Sequence, residues 1–414
     1  MKLKECKLGD LIEVTRGMSL PGEFYSTEGE YIRLTCGNFD YVNNSFKENK
    51  SKGDLYYVGK IKPEFIMEKG DIITPLTEQA IGLLGSTAII PESGKYIQSQ
   101  DVAKVTCKKG MIDHDFAYYL IPSKCVKEQL SAAAQQTKIR HTSPDAIKAC
   151  KVFVPPLSEQ KKIASVLSAL DDKIALNKKM NQKLEAMAKR LYDYWFVQFD
   201  FPDKNGHPYK TTGGPMTYNP TLKREIPEGW EVKSLFDRSD VLYGFPYATE
   251  PFDEENLDTS TKPYPVIRIR DIKDNTISAK TTETVDDKYR TKVNDLLIGM
   301  DGYFHMSFWP RNDDYVNQRI TRIRQKELSV MIIYYQIAPF IKFKEDQAKG
   351  STVGHLSDKD MKQINILVPN NPQLSEKFDS ILNLITKNKQ EIYRLAKLRD
   401  KLLPLLMNGQ VEVK

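Results

Sequence analysis

Two stretches of the chain place apolar residues at alternating intervals of four and three positions, the spacing of a coiled-coil seam. The alternation predicts one long helix over residues 158–200 and another over residues 374–414. The first seam comprises Ile163, Leu167, Leu170, Ile174, Asn177, Asn181, Leu184, Ala188, Leu191 and Trp195. The second comprises Leu374, Phe378, Ile381, Ile385, Asn388, Ile392, Leu395, Arg399, Leu402 and Leu406. We expect the helices to pair within the chain; the seam asparagines either fix the register or mark a hydrated, loosely packed stretch.

The segments that precede the two seams are related as copies of one unit. Residues 7–17 (KLGDLIEVTRG) and 231–244 (EVKSLFDRSDVLYG) both run as a strand into a glycine. Alternating strands follow in both copies, at 31–40 and 265–274, at 68–75 and 292–302, and at 96–106 and 315–324. A short helix with an aromatic pair comes next, and the alignment then places His141 on His355 and Asn177 on Asn388. Each copy is therefore predicted to be a mixed globular domain followed by a rod.

The repeat defines a domain plan. Residues 201–230 separate the copies, and they are rich in Pro, Gly and Thr without periodicity, which predicts a connector. The plan is a first globular domain (1–157), a central helix (158–200), the connector (201–230), a second globular domain (231–373) and a C-terminal helix (374–414). The predicted fold class is α+β, with two mixed α/β domains related by a pseudo-twofold repeat and separated by two long antiparallel coiled-coil helices. A chain of 414 residues suits two or three domains.

Composition bears on location and partners. Hydrophobic residues make up 40% of the chain, and no apolar run approaches the roughly 20 residues that a membrane span needs. The opening MKLKECKLGDLIEV has no signal-peptide pattern, so we expect a cytoplasmic protein. A net charge of +6 permits binding to a polyanion without requiring it. The cysteines (Cys6, Cys36, Cys107, Cys125 and Cys150) never form a CxxC pair, and we expect them to be reduced and structural, with no metal site.

Familiar catalytic motifs are missing from the sequence. It contains no GxxxxGKS/T phosphate loop, no HExxH helix and no GxSxG elbow. The histidines form no cluster, and carboxylate pairs such as Asp171–Asp172 are more typical of solvated surfaces than of acid–base catalysis. We therefore expect a binding protein rather than an enzyme.

Some apolar residues of the central helix lie off the seam: Val166, Leu176, Met180, Met187, Tyr192 and Phe196. They interrupt an outer face that is rich in lysine. Such residues predict a second contact surface, either for a partner subunit or for the globular domains of the chain itself. The sequence favours neither alternative.

Several long segments resemble the specificity subunits of type I restriction-modification systems. Residues 154–174 (VPPLSEQKKIASVLSALDDKI) are similar to the central repeat motif of that family. Residues 192–214 (YDYWFVQFDFPDKNGHPYKTTGG) and 222–235 (LKREIPEGWEVKSL) are similar to its bridge into the second half. The second copy departs from the pattern, since PNNPQLSEKFDSI lacks the PPLxEQ form. Through the repeat, the resemblance covers essentially the whole chain.

The resemblance implies a sequence-specific DNA-binding subunit. Each globular domain would read one half of a bipartite site in double-stranded DNA, and the helices would set the spacing and dock partner subunits. The partners implied are two methylation subunits and, for cleavage, two restriction subunits. S-adenosylmethionine, ATP and Mg would belong to those partners, and this chain would carry no cofactor and no catalysis.

Candidate DNA-binding residues combine Lys or Arg for phosphates with Asn, Gln or Arg for base edges, on loops. In the first domain they are Asn43, Asn44, Lys47, Lys50, Lys52, Lys60, Gln79, Gln135, Gln136, Lys138 and Arg140. In the second they are Arg268, Arg270, Tyr303, His305, Arg311, Lys349, Ser351 and Thr352. For each residue, an ordinary solvated side chain is the alternative. Arg268 and Arg270 are predicted on one face of a strand, where they could instead pair with acidic neighbours such as Asp271.

A different class of protein also fits the pattern. A coiled-coil scaffold whose globular domains bind other proteins would have the same rods and the same lack of catalytic motifs. Preference for a bipartite DNA site at raised salt would distinguish the two hypotheses, because nonspecific binding weakens steeply with salt.

Overall fold

The computed structural model describes residues 3–41, 43–50, 53–78, 82–133, 140–251, 263–348 and 354–413. The chain divides into two compact units. The first unit consists of Met1–Lys173 and Leu395–Lys414, and the second consists of Ile174–Arg394. Each long helix is therefore shared, because the division falls inside both.

The first unit combines short strands with short helices. Its strands are β1 (Lys4–Lys7), β2 (Ile12–Arg16), β3 (Tyr25–Ser26), β4 (Tyr31–Arg33), β5 (Phe39–Asp40), β6 (Ser45–Phe46), β7 (Tyr56–Tyr57), β8 (Ile72–Pro75), β9 (Thr77–Glu78), β10 (Ala88–Ile89), β11 (Tyr96–Ile97), β12 (Val102–Cys107), β13 (Arg140–His141) and β14 (Lys151–Val154). Its short helices are α1 (Leu8–Leu11), α2 (His114–Leu120), α3 (Lys124–Ala133) and α4 (Pro144–Ala149). The first long helix, α5 (Leu157–Tyr192), follows directly after Pro155 and Pro156.

The second unit repeats this plan. Its strands are β15 (Met216–Asn219), β16 (Arg224–Pro227), β17 (Glu231–Ser234), β18 (Ser239–Tyr243), β19 (Glu250–Pro251), β20 (Tyr264–Ile267), β21 (Ala279–Thr281), β22 (Leu296–Gly299), β23 (Met306–Phe308), β24 (Tyr315–Val316), β25 (Ile320–Gln325) and β26 (Asn365–Val368). Its helices are α6 (Leu235–Arg238), α7 (Ile269–Ile272), α8 (Val330–Ala348) and α9 (Asp358–Lys362). The second long helix, α10 (Pro372–Met407), begins with a proline, which suits the first turn of a helix.

Strand order confirms the predicted α+β repeat. The first unit has a four-stranded sheet β10-β8-β12-β2, and the second has β23-β22-β25-β18. Another pair of sheets matches as β11-β4-β7-β3 and β24-β20-β21-β19, each with one parallel pair. A two-stranded antiparallel ribbon closes each copy, β1 with β14 and β17 with β26. The two copies therefore share one topology, although their lengths and side chains differ.

An ion pair occupies the same place in the principal sheet of each unit, half-buried in the first unit and buried in the second. Lys104 on β12 binds Asp71 at 2.7 Å, and the corresponding Arg322 on β25 lies 4.0 Å from Asp295. Arg322 is 1% exposed and also binds Asp240 at 2.8 Å. Because a buried charge is costly unless it is paired, both carboxylates are structural.

Gly17 and Gly244 follow the first strands of their copies, and close backbone packing requires glycine at both positions. A Cβ atom on Gly17 would lie 2.3 Å from the Ser99 carbonyl oxygen, and one on Gly244 would lie 2.2 Å from that of Asn317. At both positions the backbone of a neighbouring segment approaches too closely for any side chain. The glycine that recurs in the sequence therefore meets the same packing constraint in both copies.

The predicted seam positions are buried or half-buried in both long helices. In the first unit, Arg399 of α10 binds Asp171 of α5, with Nη1 and Oδ1 2.8 Å apart. In the second unit, Asn388 of α10 donates from Nδ2 to Oδ1 of Asn181 at 2.8 Å. Asn181 also donates to the Ile385 carbonyl at 3.2 Å. In the second unit Trp195 of the first long helix segment also contacts Phe378 of α10, so the helices run antiparallel there.

The segment predicted as a connector contains regular structure. β15 and β16 form an antiparallel hairpin, and α5 continues into a π-helical turn at Asp193–Val197. Phe199, Phe201 and Trp230 are buried in the core of the second unit, and Phe201 stacks on Trp230 with ring centroids 4.9 Å apart. Scattered aromatic residues make this contact without periodicity, which is why the sequence pattern did not predict it.

Candidate nucleic-acid interface

An open groove of about 710 Å³ lies on the surface of the second unit. Its walls come from three segments that are distant in sequence: the α7 region, the turn between β22 and β23, and the approach to β25. The lining residues are Thr249, Arg268, Ile269, Arg270, Lys273, Asp301, Gly302, Tyr303, His305, Asn317 and Arg319. Four of the residues predicted to bind DNA meet here, namely Arg268, Arg270, Tyr303 and His305.

The α7 wall is held by a buried carboxylate. Asp271 is 1% exposed and accepts hydrogen bonds from the Arg268 backbone N–H at 2.8 Å and from the Ser278 hydroxyl at 3.0 Å. This corrects the prediction that Arg268 and Arg270 share a strand face, because β20 ends at Ile267 and Arg270 lies in α7. Because Asp271 binds the backbone of Arg268, the Arg268 guanidinium remains at the groove.

The opposite wall is the β22–β23 turn. Gly302 has φ +71°, a left-handed conformation that glycine adopts without strain. The rings of Tyr303 and His305 stack nearly parallel, with centroids 5.7 Å apart, and Tyr303 is 68% exposed. A tight turn therefore presents two flat rings toward solvent at the edge of the groove.

The groove is electropositive. Arg268, Arg270, Lys273 and Arg319 line it, and Asp301 is the acidic residue among the lining residues. The Asp301 carboxylate lies 3.3 Å from Nε of Arg319 and 2.6 Å from Nδ1 of His355. Asp301 is thus paired with groups inside the unit, and the other cations remain available to an anionic ligand.

Arg311 lies outside this groove. Its Nε binds the Asp314 carboxylate at 2.9 Å, and its Nη1 donates to the Asn275 carbonyl at 3.0 Å. The guanidinium also sits over the rings of Trp309 and Tyr393. Burial raises the pKa of Asp314, while Arg311 acts in the opposite direction by stabilising the carboxylate. The contacts of Arg311 are those of a structural residue.

The candidates in the first unit do not converge on one groove. Asn43 binds the Asp40 carboxylate through its side chain at 2.8 Å, and the Asn44 carbonyl accepts a hydrogen bond from the Tyr118 hydroxyl. Lys47, Lys50 and Lys60 are exposed. Arg140 binds Glu78 at 3.3 Å, beside a cavity of about 430 Å³. These residues are dispersed over the unit.

The remaining predicted residues fall outside the part of the chain that the structure describes. They are Lys52, Gln79, Gln135, Gln136, Lys138, Lys349, Ser351 and Thr352.

Sequence reasoning missed Lys273, Asn317 and Arg319. Lys273 follows Arg270 by three residues, which is helical spacing, and a helical interpretation of that segment would have included it. Asn317 and Arg319 directly precede the alternating strand β25. Their position at the start of a strand was the available signal.

Among the described residues, no group of three or more His, Cys, Asp or Glu side chains is arranged to hold a metal ion. Within the same ranges, every helix is too short or too polar to cross a bilayer.

Comparison with known proteins supplies the family. The sequence matches the family described as Type I restriction modification DNA specificity domain over residues 2–186 and 227–395. The type I restriction enzyme MjaIX specificity subunit of Methanocaldococcus jannaschii is 27% identical over 403 residues, covering 93% of this chain and 84% of that protein. The HindI specificity subunit of Haemophilus influenzae is 22% identical, covering 99% of each. The crystal structure of the S subunit from M. genitalium shares the fold, with a TM-score of 0.56 at 17% identity over 98% of this chain and 96% of that one.

Two units of matching topology, each continuous with long paired helices, define a duplicated recognition protein. The cationic groove in one unit is suited to an extended anion. The chain belongs to the family of type I restriction-modification DNA specificity subunits. Its role is DNA sequence specificity, in a family whose members recognise DNA rather than catalyse a reaction on it.

Proposed function

We propose that this chain directs a type I restriction-modification complex to a bipartite site in double-stranded DNA, with each globular domain reading one half. The observation that carries the proposal is the groove of the second unit, where four cationic side chains surround an exposed stacked pair of rings. The topological repeat supports an equivalent role for the first unit. Long helices α5 and α10 would set the spacing between the half-sites.

The groove offers the contacts that DNA reading requires. Arg268 and Lys273 can neutralise phosphates, which provides affinity without sequence preference. Arg270 can donate two hydrogen bonds to a guanine edge, and Asn317 can pair with adenine in the same way. The exposed ring of Tyr303 can contact a thymine methyl group or stack on a base. Specificity would therefore depend on residues from all three walls.

An exposed apolar stripe on α5 supports docking of the partner subunits. Leu176, Met180 and Met187 are about half exposed, and their spacing of four and seven residues places them on one helix face. By contrast, Tyr192 and Phe196 pack in the core of the second unit, and Val166 packs in that of the first. Packing against the globular domains therefore accounts for Val166, Tyr192 and Phe196, and Leu176, Met180 and Met187 are exposed. We assign the exposed three to a methylation subunit.

Catalysis would belong to the partners. In this proposal two methylation subunits use S-adenosylmethionine, and two restriction subunits use ATP and Mg for cleavage. This chain would hold no cofactor. Its predicted cytoplasmic location agrees with access to DNA.

A scaffold that binds proteins is the competing function, and the groove argues against it. Protein interfaces are depleted in charge at their core and enriched in apolar anchors. The groove instead gathers Arg268, Arg270, Lys273 and Arg319 around a solvated space.

The test is selection of bound duplexes from a random pool, using the chain together with its methylation subunits. Affinity for the selected duplex is then compared with that for random DNA at raised salt. We expect preference for a bipartite sequence to persist while nonspecific binding collapses. No preference at any salt concentration would reject the proposal.

A matched pair of variants locates the interface. Lys273 lines the groove, whereas Lys326 is an exposed lysine that follows β25 and is not among the lining residues. Lys273→Ala should weaken binding to all duplexes and reduce the salt slope by about 1, as expected for a lost phosphate contact. Lys326→Ala should change neither quantity. Equal effects would show that the groove is not the binding surface.

A further inference from the structure

Lys389 of α10 is a charged residue whose hydrogen-bond partners are neutral oxygen atoms. Its Nζ points into the second unit and donates to the Ser307 hydroxyl and to the Phe308 carbonyl, each at 3.2 Å. No described residue forms an ion pair with this ammonium group. Burial lowers its pKa to about 8, an effect that the Glu185 carboxylate only partly opposes. A cation kept in such a place, with neutral oxygens as its partners, calls for an explanation beyond helix pairing.

The partner of Lys389 stands where the two main walls of the groove meet. Ser307 lies in β23, two residues after His305 of the tyrosine–histidine turn. Its hydroxyl accepts a hydrogen bond from Nδ2 of Asn275 at 3.0 Å. Asn275 adopts a left-handed backbone with φ +53°, just after the helical segment that carries Arg270 and Lys273. One serine oxygen therefore joins the cationic wall to the aromatic wall.

Further contacts surround this junction. The Asn275 carbonyl accepts from Arg311, and Gln390, the neighbour of Lys389, donates to the Pro310 carbonyl at 2.7 Å. On the adjacent position of α10, Asn388 binds Asn181 of α5. Within the second unit, α10 thus contacts its partner helix and the base of the groove through consecutive residues.

We propose that Lys389 is a positioning residue, which holds the α7 wall and the β22–β23 turn of the groove at a fixed separation by donating to Ser307. It does not touch DNA. It acts through the Ser307–Asn275 hydrogen bond, and it makes the long C-terminal helix part of the reading site. The consequence for DNA reading rests on the proposed function, whereas the effect on the two walls does not.

The first test needs no DNA. Hydrogen exchange is compared in the full chain between the wild type, Lys389→Met and Lys387→Met. The control lysine is exposed and lies two residues away on the same helix. We expect faster exchange in peptides covering residues 269–276 and 300–308 in Lys389→Met alone, with α10 itself unchanged. Unchanged exchange in those peptides would overturn the proposal, whatever the chain binds.

A second variant separates positioning from simple loss of structure. Ser307→Ala removes the other partner while leaving the helix intact, and it should accelerate exchange in the same peptides. The effect of the double variant should be clearly less than the sum of the single effects, because both single variants remove the Lys389–Ser307 hydrogen bond. Additive effects would show that Lys389 and Ser307 act independently and would contradict the proposal.

The second test uses duplexes with a single mismatch in one half-site. The half-site read by the second unit is the one whose discrimination changes in Arg270→Ala. A single mismatch usually lowers affinity by several-fold to about a hundredfold. In Lys389→Met we expect this mismatch penalty at the half-site of the second unit to be roughly threefold to tenfold smaller than in the wild type. The other half-site and the salt slope should not change. Loss at both half-sites would refute positioning, whereas a wild type without preference would count only against the proposed function.

Discussion

The ion pair between Asp171 and Arg399 allows a quantitative test of the helix pairing in the first unit. Arg399 Nη1 lies 2.8 Å from Asp171 Oδ1, and the Tyr119 hydroxyl donates to the other carboxylate oxygen at 2.7 Å. The aligned positions in the repeat are Leu382 and Ala188, which are both buried. An apolar pair can therefore occupy the corresponding place. The perturbation we choose is Arg399→Met and Asp171→Leu, singly and together.

The magnitudes follow from burial. The Arg399 side chain is 10% exposed and that of Asp171 is 29% exposed. Removing one member of a fully buried pair costs about 3–5 kcal/mol, and partial solvation of Asp171 reduces this to about 2 kcal/mol for Arg399→Met. Asp171→Leu should cost less, about 1–2 kcal/mol, because Arg399 keeps Asp400 as a partner at 2.8 Å. The double variant should lose only about 1 kcal/mol, which gives a coupling energy of about 2–3 kcal/mol.

The assay must report on the correct unit. All three tryptophans of the chain lie in the second unit, so their fluorescence serves as an internal control. Unfolding of the first unit is followed by native-state hydrogen exchange of the amides near Ile163 and Asp171 as urea is increased. Additive single effects, with a coupling energy below about 0.5 kcal/mol, would refute the reasoning and place the pair among weak surface ion pairs.

Three further predictions concern other parts of the chain. Gly244→Ala should destabilise the second unit by more than about 2 kcal/mol, because the new Cβ would meet the Asn317 carbonyl, and urea unfolding followed by tryptophan fluorescence measures this. Leu170→Asp combined with Ile174→Asp should place unpaired carboxylates in the helix seam and abolish assembly with the methylation subunits; unchanged elution in size-exclusion chromatography would contradict the seam. The pKa of Lys389 is lowered to about 8, so the folded state loses this proton at a lower pH than the unfolded state, and the free energy of unfolding of the wild type relative to that of Lys389→Met should rise with pH from about 8 toward the ordinary lysine range.

The sequence predicted those elements of the fold in which residues recur at a regular spacing. Coiled-coil spacing located the starts of α5 and α10 to within two residues, since a seam such as Ile163 to Leu191 repeats one simple geometry, but the predicted ends lie eight and seven residues beyond Tyr192 and Met407. Comparison of the copies located matching strands, because each retains a glycine, Gly17 or Gly244, that the packing demands. In both cases the residues that form the local pattern are the residues that make the structural contact.

The groove could be predicted only in pieces. Arg268, Tyr303 and Arg319 belong to segments separated by tens of residues, and pairing of β22 with β25 brings the last two segments together. Residue type alone also placed Arg311 among the candidates, although its guanidinium lies between Trp309 and Tyr393. Which arginines face solvent depends on tertiary contacts that no local pattern records.

The ribbons that close the two units have an evolutionary consequence. Lys4 pairs with Val154, and Glu231 pairs with Val368, so each reading domain begins and ends on neighbouring strands. A gene segment that encodes everything between such strands can be replaced as a block, since the two junctions stay adjacent whatever lies between them. Recombination at these junctions would give descendants a new half-site in a single event while leaving the other half-site and the helices as they were. The ribbon would therefore allow one recognition domain to be exchanged without changing the other.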